Sequence, residues 1–292
     1  MAEKDVSEKV LEAHNDVFAD IVNGFLFNGE QVVLPQSLQD RFAITAFEQK
    51  GTLYSNERDV SKQWTKGAFN IACLGIENQS RIDKCMPLRV IGYDGAEYKR
   101  QSDENVAEPY PVVTLVLYFG KRQWRKPRSL FDVLKLDERL KPFVNDYRLN
   151  IFDVTHMSRK QAEKFSSDFK IIADYFAQVH ETGKYLPSKQ PIQHRVDLGR
   201  MLKYVTGNEK FDVLVDNEGG SRSMYDAFAD AENRGEARGL SMGLSRGEAR
   251  GLSQGVELAK KLIAAGRTAD LERAADNAEF RQQLLKEFAL LQ

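Results

Sequence analysis

Only two cysteines, Cys73 and Cys85, occur in 292 residues. That is too few for a disulfide framework or for a zinc site built from thiolates alone. Cys73 lies in an apolar stretch and reads as a small buried hydrophobe. No segment approaches the roughly 18 consecutive apolar residues of a membrane span, and the opening MAEKDVSEK has no apolar signal core. A cytoplasmic protein without a membrane partner is therefore expected. Neither sign of charge dominates: 42 Lys and Arg stand against 43 Asp and Glu, a formal net charge of -1. No whole-chain field draws in nucleic acid, so any such contact must use a local patch. What is present is a 42% hydrophobic fraction with 17 Phe and 10 Tyr, enough apolar surface for a folded core and too much for a disordered chain.

Asp5 and Glu8 offer a capping box, after which Val10, Leu11, Val17, Phe18, Ile21, Val22, Phe25 and Leu26 recur at helical spacing as far as Asn28 and Gly29. One long amphipathic helix is expected, with His14 on its apolar face as a structural residue. Asp16 and Asp20 lie four apart on its flank, either solvated or with one of them, Asp20 being nearer the apolar boundary, reaching the hairpin at 57–80 as a further carboxylate. Residues 30–56 have weak periodicity and read as a connector with a short helical piece.

The stretch ERDVSKQWTKGAFNIACLGIENQS, 57–80, reads as a hairpin. Its first strand carries Asp59, and the turn falls at Thr65, Lys66 and Gly67. The second strand runs from Phe69 to Glu77 and Gln79. Alternate residues of a strand share a face, so Glu77 and Gln79 project together and the turn brings Asp59 back beside them. Two carboxylates converging at a strand end suit a divalent magnesium or manganese ion, which takes oxygen ligands and keeps several waters. Asp59 and Glu77 are the candidate ligands, and the Gln79 amide can hydrogen-bond the attacking water or a phosphate oxygen. A charge ending an apolar strand must otherwise be paired, and Lys62, Arg81 or Arg89 could balance Glu77.

Pro87 then sits near a helix start, with Leu88, Ile91 and Tyr98 expected on the packed side. YPVVTLVLYFG, 110–120, is nearly continuously apolar and β-branched, the pattern of a strand buried on both faces. The basic run KRQWRKPR that follows interleaves Lys121, Arg122, Arg125 and Lys126 with Trp124. It is either a solvated loop or a grip on phosphates with an aromatic ring for a base. DYRLNIFDVT is a further strand, and residues 158–204 are helical between breaks at Gly183, Pro187 and Pro191.

Beyond Asp216 the composition changes. RGEARGLS at 234–241 returns at 246–253, and glycine holds every fourth place from 235 to 255. Glycine inside a helix costs about 1 kcal/mol relative to alanine, so this stretch is either a linker or a helix held by a protein partner in water. The expected organisation is a domain over 1–215, the repeat over 216–256, and a C-terminal helical segment over 257–292 with a break near Gly266. A homo-oligomer through the C-terminal region is one expectation.

The order of a helix acid, RDVSK with Asp59, LGIENQS with Glu77 and Gln79, MPLRVIGYD, the YPVVTLVLYFG strand and NDYRLNIFDV resembles the Rpn recombination-promoting nucleases, the YhgA-like transposase group of the PD-(D/E)xK superfamily. The resemblance spans roughly residues 10–155. It implies an α/β fold with a restriction-endonuclease-like αβββαβ core, followed here by a helical C-terminal region, and magnesium-dependent hydrolysis of DNA phosphodiesters. Asp59 falls on the motif aspartate and Glu77 on the motif glutamate, while Asp16 and Asp20 compete for the helix acid. Gln79 stands where the superfamily name has lysine, so transition-state charge must be met by a metal or another cation. The rival expectation is a catalytically silent nucleic-acid-binding or assembly protein on the same core.

Overall fold

The computed structural model describes residues 9–41, 44–49, 52–57, 59–67, 69–215 and 222–290, with the backbone alone for 44–49, 52–57, 69 and 71. The Asp5 and Glu8 capping box lies outside these residues. The chain divides into two compact units, Met1–Phe228 and Ala229–Gln292.

The N-terminal periodicity does not give one continuous helix. Residues 9–13 are helical, the chain bends at His14, and helix α1 restarts over Asn15–Leu26. His14 has extended backbone angles there (φ -68°, ψ 129°), so it opens the helix. Asn28 (φ 57°) and Gly29 (φ 93°) close it in the left-handed region.

The connector expected over 30–56 holds more structure than its periodicity suggests. A 3-10 turn at Pro35–Ser37 leads into strand β1 (Leu38–Asp40). Strands β2 (Ile44–Gln49) and β3 (Thr52–Glu57) then pair antiparallel as a separate two-stranded sheet. ITAFEQ and TLYSNE each interleave β-formers with polar residues too briefly for the alternation to register.

The expected hairpin follows. Strand β4 (Val60–Lys66) turns at Gly67 (φ 63°) into β5 (Phe69–Gln79). Helix α2 (Met86–Asp103), with Pro87 in its first turn, crosses to β6 (Val112–Tyr118), which pairs parallel with β5. Strand β7 (Asn150–Asp153) pairs parallel with β6. The sheet order is β1-β4-β5-β6-β7.

Because β6 lies inside the sheet, between β5 and β7, and is covered on both faces, its side chains divide between two cores. Leu115 and Leu117 join Leu74 and Ile76 beneath Phe18, Ile21 and Val22 of α1, whereas Val116 and Tyr118 meet Met86 and Val90 of α2. The buried side of α2 is Met86, Val90, Tyr93, Asp94 and Gln101. Leu88 and Tyr98, expected on the packed side, are exposed, since the stripe is set by the positions that reach Val116 and Tyr118.

Helices α3 (Arg159–Ala162), α4 (Phe169–Thr182), α5 (Arg195–Thr206) and α6 (Asp212–Val215) complete the first unit, with Gly183 (φ 69°) ending α4. The glycine repeat is helical, inside α7 (Met224–Ala264). Met224 and Ala227, at the start of α7, are buried in the first unit's core. In the second unit, Gly266 (φ 69°) precedes α8 (Thr268–Asp276) and α9 (Ala278–Glu287). Leu258, Leu262, Ala274, Leu284 and Leu285 form its core. The fold is mixed α/β with a five-stranded sheet and a helical C-terminal region. No helix among the described residues is long and apolar enough to cross a membrane.

Candidate active site

Register assembles the site. Val60 pairs with Ile76 and Ser61 with Gly75, which brings Asp59, one residue before β4, level with Glu77. The backbone N–H of Asn78 donates to Asp59 Oδ2 at 2.7 Å, and Lys9 Nζ lies 3.4 Å from Asp59 Oδ1. Glu77 is 2% exposed. A carboxylate this buried requires compensation, and of the three cations proposed to balance it the one that does so is Arg89, one turn into α2. Gln79 Nε2 donates to the same Glu77 Oε1 at 3.1 Å, as their shared strand face predicts.

Arg89 is itself held from two further sides. Its Nη1 donates to Asp83 Oδ2 at 3.1 Å and its Nη2 to the Tyr93 hydroxyl at 3.0 Å. Burial works against the guanidinium charge, but the Glu77 carboxylate, with Tyr93 and Asp83, raises the Arg89 pKa above its ordinary value. Burial, then the charges of Glu77 and also Asp59, raise the Tyr93 pKa, so Tyr93 keeps its proton at neutral pH.

Asp20 and Asp16, the expected candidates for a helix acid, bond to other segments. Asp20, 3% exposed, accepts hydrogen bonds from the backbone and hydroxyl groups of Ser166 and Ser167 at 2.7–3.0 Å. Asp16 pairs with His194 Nε2 at 3.0 Å. Both are committed to the segments flanking α4, not to the hairpin. His14 is bound likewise, to Asp197 Oδ2 at 2.9 Å, with its ring stacked on His194 at 3.6 Å. The acid linked to the hairpin is Glu12. The Asn78 side chain, on the sheet face opposite Glu77, donates to the fully buried Glu12 Oε2 at 2.7 Å. Asn78 thus ties Asp59 through its backbone and Glu12 through its amide. The available signal was an acid beside Leu11 on an apolar helical turn, obscured by the bend at His14.

The basic run offers less than its composition suggested. Trp124 is 1% exposed, edge-on to Tyr118 at 5.0 Å, with its indole N–H donated to the Pro127 carbonyl at 2.8 Å. Its ring fills the core beneath α2 and is not available for stacking on a base. Lys126 is paired with Asp132 at 2.7 Å. Lys121, Arg122 and Arg125 are exposed. Among the described residues no group of three or more His, Cys, Asp or Glu stands close enough to hold a metal ion.

Residues 59–194 match the model of a family described as putative transposase, YhgA-like. No curated protein and no solved structure matches the chain. The matched segment begins at Asp59 and includes Glu77, Gln79, Arg89 and the basic loop, while Glu12, Asp16, Asp20 and the glycine-rich helix lie outside it. Over that segment, the hairpin with its paired carboxylates and the helices behind it, the chain is similar to the family described as putative transposase, YhgA-like.

Proposed function

We propose that the chain is a metal-dependent DNA endonuclease acting in DNA transposition or recombination, with a restriction-endonuclease-like core and its hydrolytic centre at Asp59, Glu77 and Gln79. The observation that carries this reading is the β4–β5 register, which sets Asp59 level with a buried Glu77 near the carboxyl end of β5. Asp59 and Glu77 supply hard oxygen donors, which fits magnesium or manganese held by two carboxylates and several waters. When bound, the ion would polarise a phosphoryl oxygen and lower the pKa of an attacking water.

The chain's own residues do the rest. Gln79 Nε2 already donates to Glu77 and orients that carboxylate. Arg89 supplies, from α2, the positive charge that lysine would have supplied at 79. A guanidinium presents a rigid fork of donors suited to phosphate oxygens, and such a charge acts most strongly where water is excluded. Tyr93 and Asp83 hold that fork in place.

The test is nicking of supercoiled DNA by the purified protein with magnesium or manganese, beside Asp59→Ala and Glu77→Ala and an EDTA control. Cleavage lost in both variants supports the site, and cleavage that survives in both removes it. One observation favours a second reading, a catalytically silent DNA-binding or assembly protein. Arg89 and Lys9 already neutralise the two carboxylates. Retarded DNA without nicking under any divalent ion would establish that alternative. Self-association through the C-terminal region is part of it, and light scattering on chains with and without residues 229–292 decides this, an unchanged mass per chain ruling it out.

A further inference from the structure

A cavity of about 310 Å³ opens where β6 and β7 end. Crevices outside the carboxyl ends of parallel strands are favoured ligand sites in α/β sheets, and this volume is in the range of small-molecule sites. Its apolar side is Phe119, just past β6, with Tyr175, Phe176 and Val179 from successive turns of α4. Its polar side is Lys121, Thr155, His156 and His180, with Thr206 at the end of α5. Among the described residues no carboxylate lines it.

The polar groups are prepared for a ligand. Asp153 accepts the Trp124 backbone N–H at 3.1 Å and bonds His156 Nδ1 at 2.8 Å. A carboxylate behind an imidazole fixes the ring's orientation and leaves its other nitrogen to work. His180 lies edge-on to His156 at 5.4 Å. Lys121 is exposed, and among the described residues the buried Thr155 hydroxyl has no hydrogen-bond partner. One ammonium, two imidazoles and an unsatisfied hydroxyl beside aromatic rings call for an anion carried on a flat apolar body.

We propose that this cavity binds a nucleoside monophosphate, its base against Phe119, Tyr175 and Phe176 and its phosphate at Lys121, His156 and His180. The same chemistry is offered by a free nucleotide and by the phosphorylated terminus of a DNA strand. The ligand class follows from the lining alone, so it stands or falls apart from the nuclease reading. Asp59→Ala, at a residue not among those lining the cavity, is expected to retain nucleotide binding even where it abolishes cleavage.

Calorimetric titration of the full chain tests this with dAMP, deoxyadenosine, inorganic phosphate, and an oligonucleotide with or without a 5′-phosphate. Saturable binding of dAMP is expected, weakened about tenfold by Lys121→Ala or His180→Ala, the loss of one charge-assisted contact. Val179→Trp, which fills the cavity, is expected to abolish it, with unchanged circular dichroism certifying the fold of each variant. Deoxyadenosine or phosphate alone is expected to bind more weakly than dAMP. Competition by the phosphorylated oligonucleotide and not the unphosphorylated one identifies a strand end as the source; binding of dAMP alone identifies a free nucleotide. Absence of dAMP binding at millimolar concentration overturns the assignment. So does affinity unchanged in folded Lys121→Ala, His180→Ala and Val179→Trp, or phosphate binding as tightly as dAMP.

Discussion

Arg89 engages Glu77, Asp83 and Tyr93 at once, so its removal tests structure and chemistry together. Arg89→Ala is expected to destabilise the first unit by about 1–3 kcal/mol, read from denaturant midpoints, and to abolish nicking. Arg89→Lys keeps the charge without the fork and is expected to be intermediate in both. A second residue carries a pH signature. Burial holds the Asp168 carboxyl above its usual range, against hydrogen bonds donated by the backbone of His194 and Gln193. A raised pKa in the folded state gives stability that is whole below the unfolded value and is lost as pH rises through the folded one. The stability of the wild type relative to Asp168→Asn is therefore expected to fall as pH rises from below about 4, the ordinary aspartate value, and denaturant midpoints across that window measure it. That Asp59, Glu77 and Gln79 lie together was legible because a strand's two-residue period needs no knowledge of partners. Asp16 and Asp20 were not, because their partners at 194 and at 166–167 are distant in sequence and a helical wheel records only a face.

Elements announced themselves in proportion to their length and regularity. The β4–β5 hairpin and the apolar β6 strand follow from pattern alone, whereas β2 and β3 are too short and too mixed. Helix α7 is the hardest case, since composition argues against it: glycine recurs every fourth residue from 235 to 255. An added Cβ at any of these six glycines meets nothing within 4 Å. Gly247→Ala is thus expected to strengthen α7 by about 1 kcal/mol, seen as a higher melting temperature of the helical circular dichroism signal. Gly24 is the opposite kind of glycine. A Cβ there would run into the Phe165 ring, and α1 could keep its packing only if that buried ring moved. Gly24→Ala is expected to cost about 1–3 kcal/mol in a chemical denaturation experiment.

At the scale of the whole molecule, the charge balance limits how DNA can be held. With a net charge of -1 and Lys126 occupied by Asp132, the basic loop offers Lys121, Arg122 and Arg125. Binding through three cations gives a slope of about -3 for log affinity against log salt, and a much steeper slope in a filter-binding series would place the interface elsewhere. The composition change after residue 215 was plain in the sequence. What was not plain is that the first compact unit continues to Phe228, because a core role for Met224 and Ala227 depends on neighbours far along the chain.

The floor beneath residue 79 is pinned from both sides. Asn78 N–H is bound to Asp59, Gln79 pairs with Tyr118 in the parallel ladder, and the Gln79 carbonyl accepts the Phe119 N–H at 2.8 Å. A different side chain at 79 therefore has little backbone freedom to exploit, and position 79 becomes a socket into which alternative chemistries can be plugged. Gln79→Lys would set an ammonium beside Arg89 and Glu77 on an unmoved scaffold, so the ratio of its cleavage rate to the wild type's would report what one added charge does there.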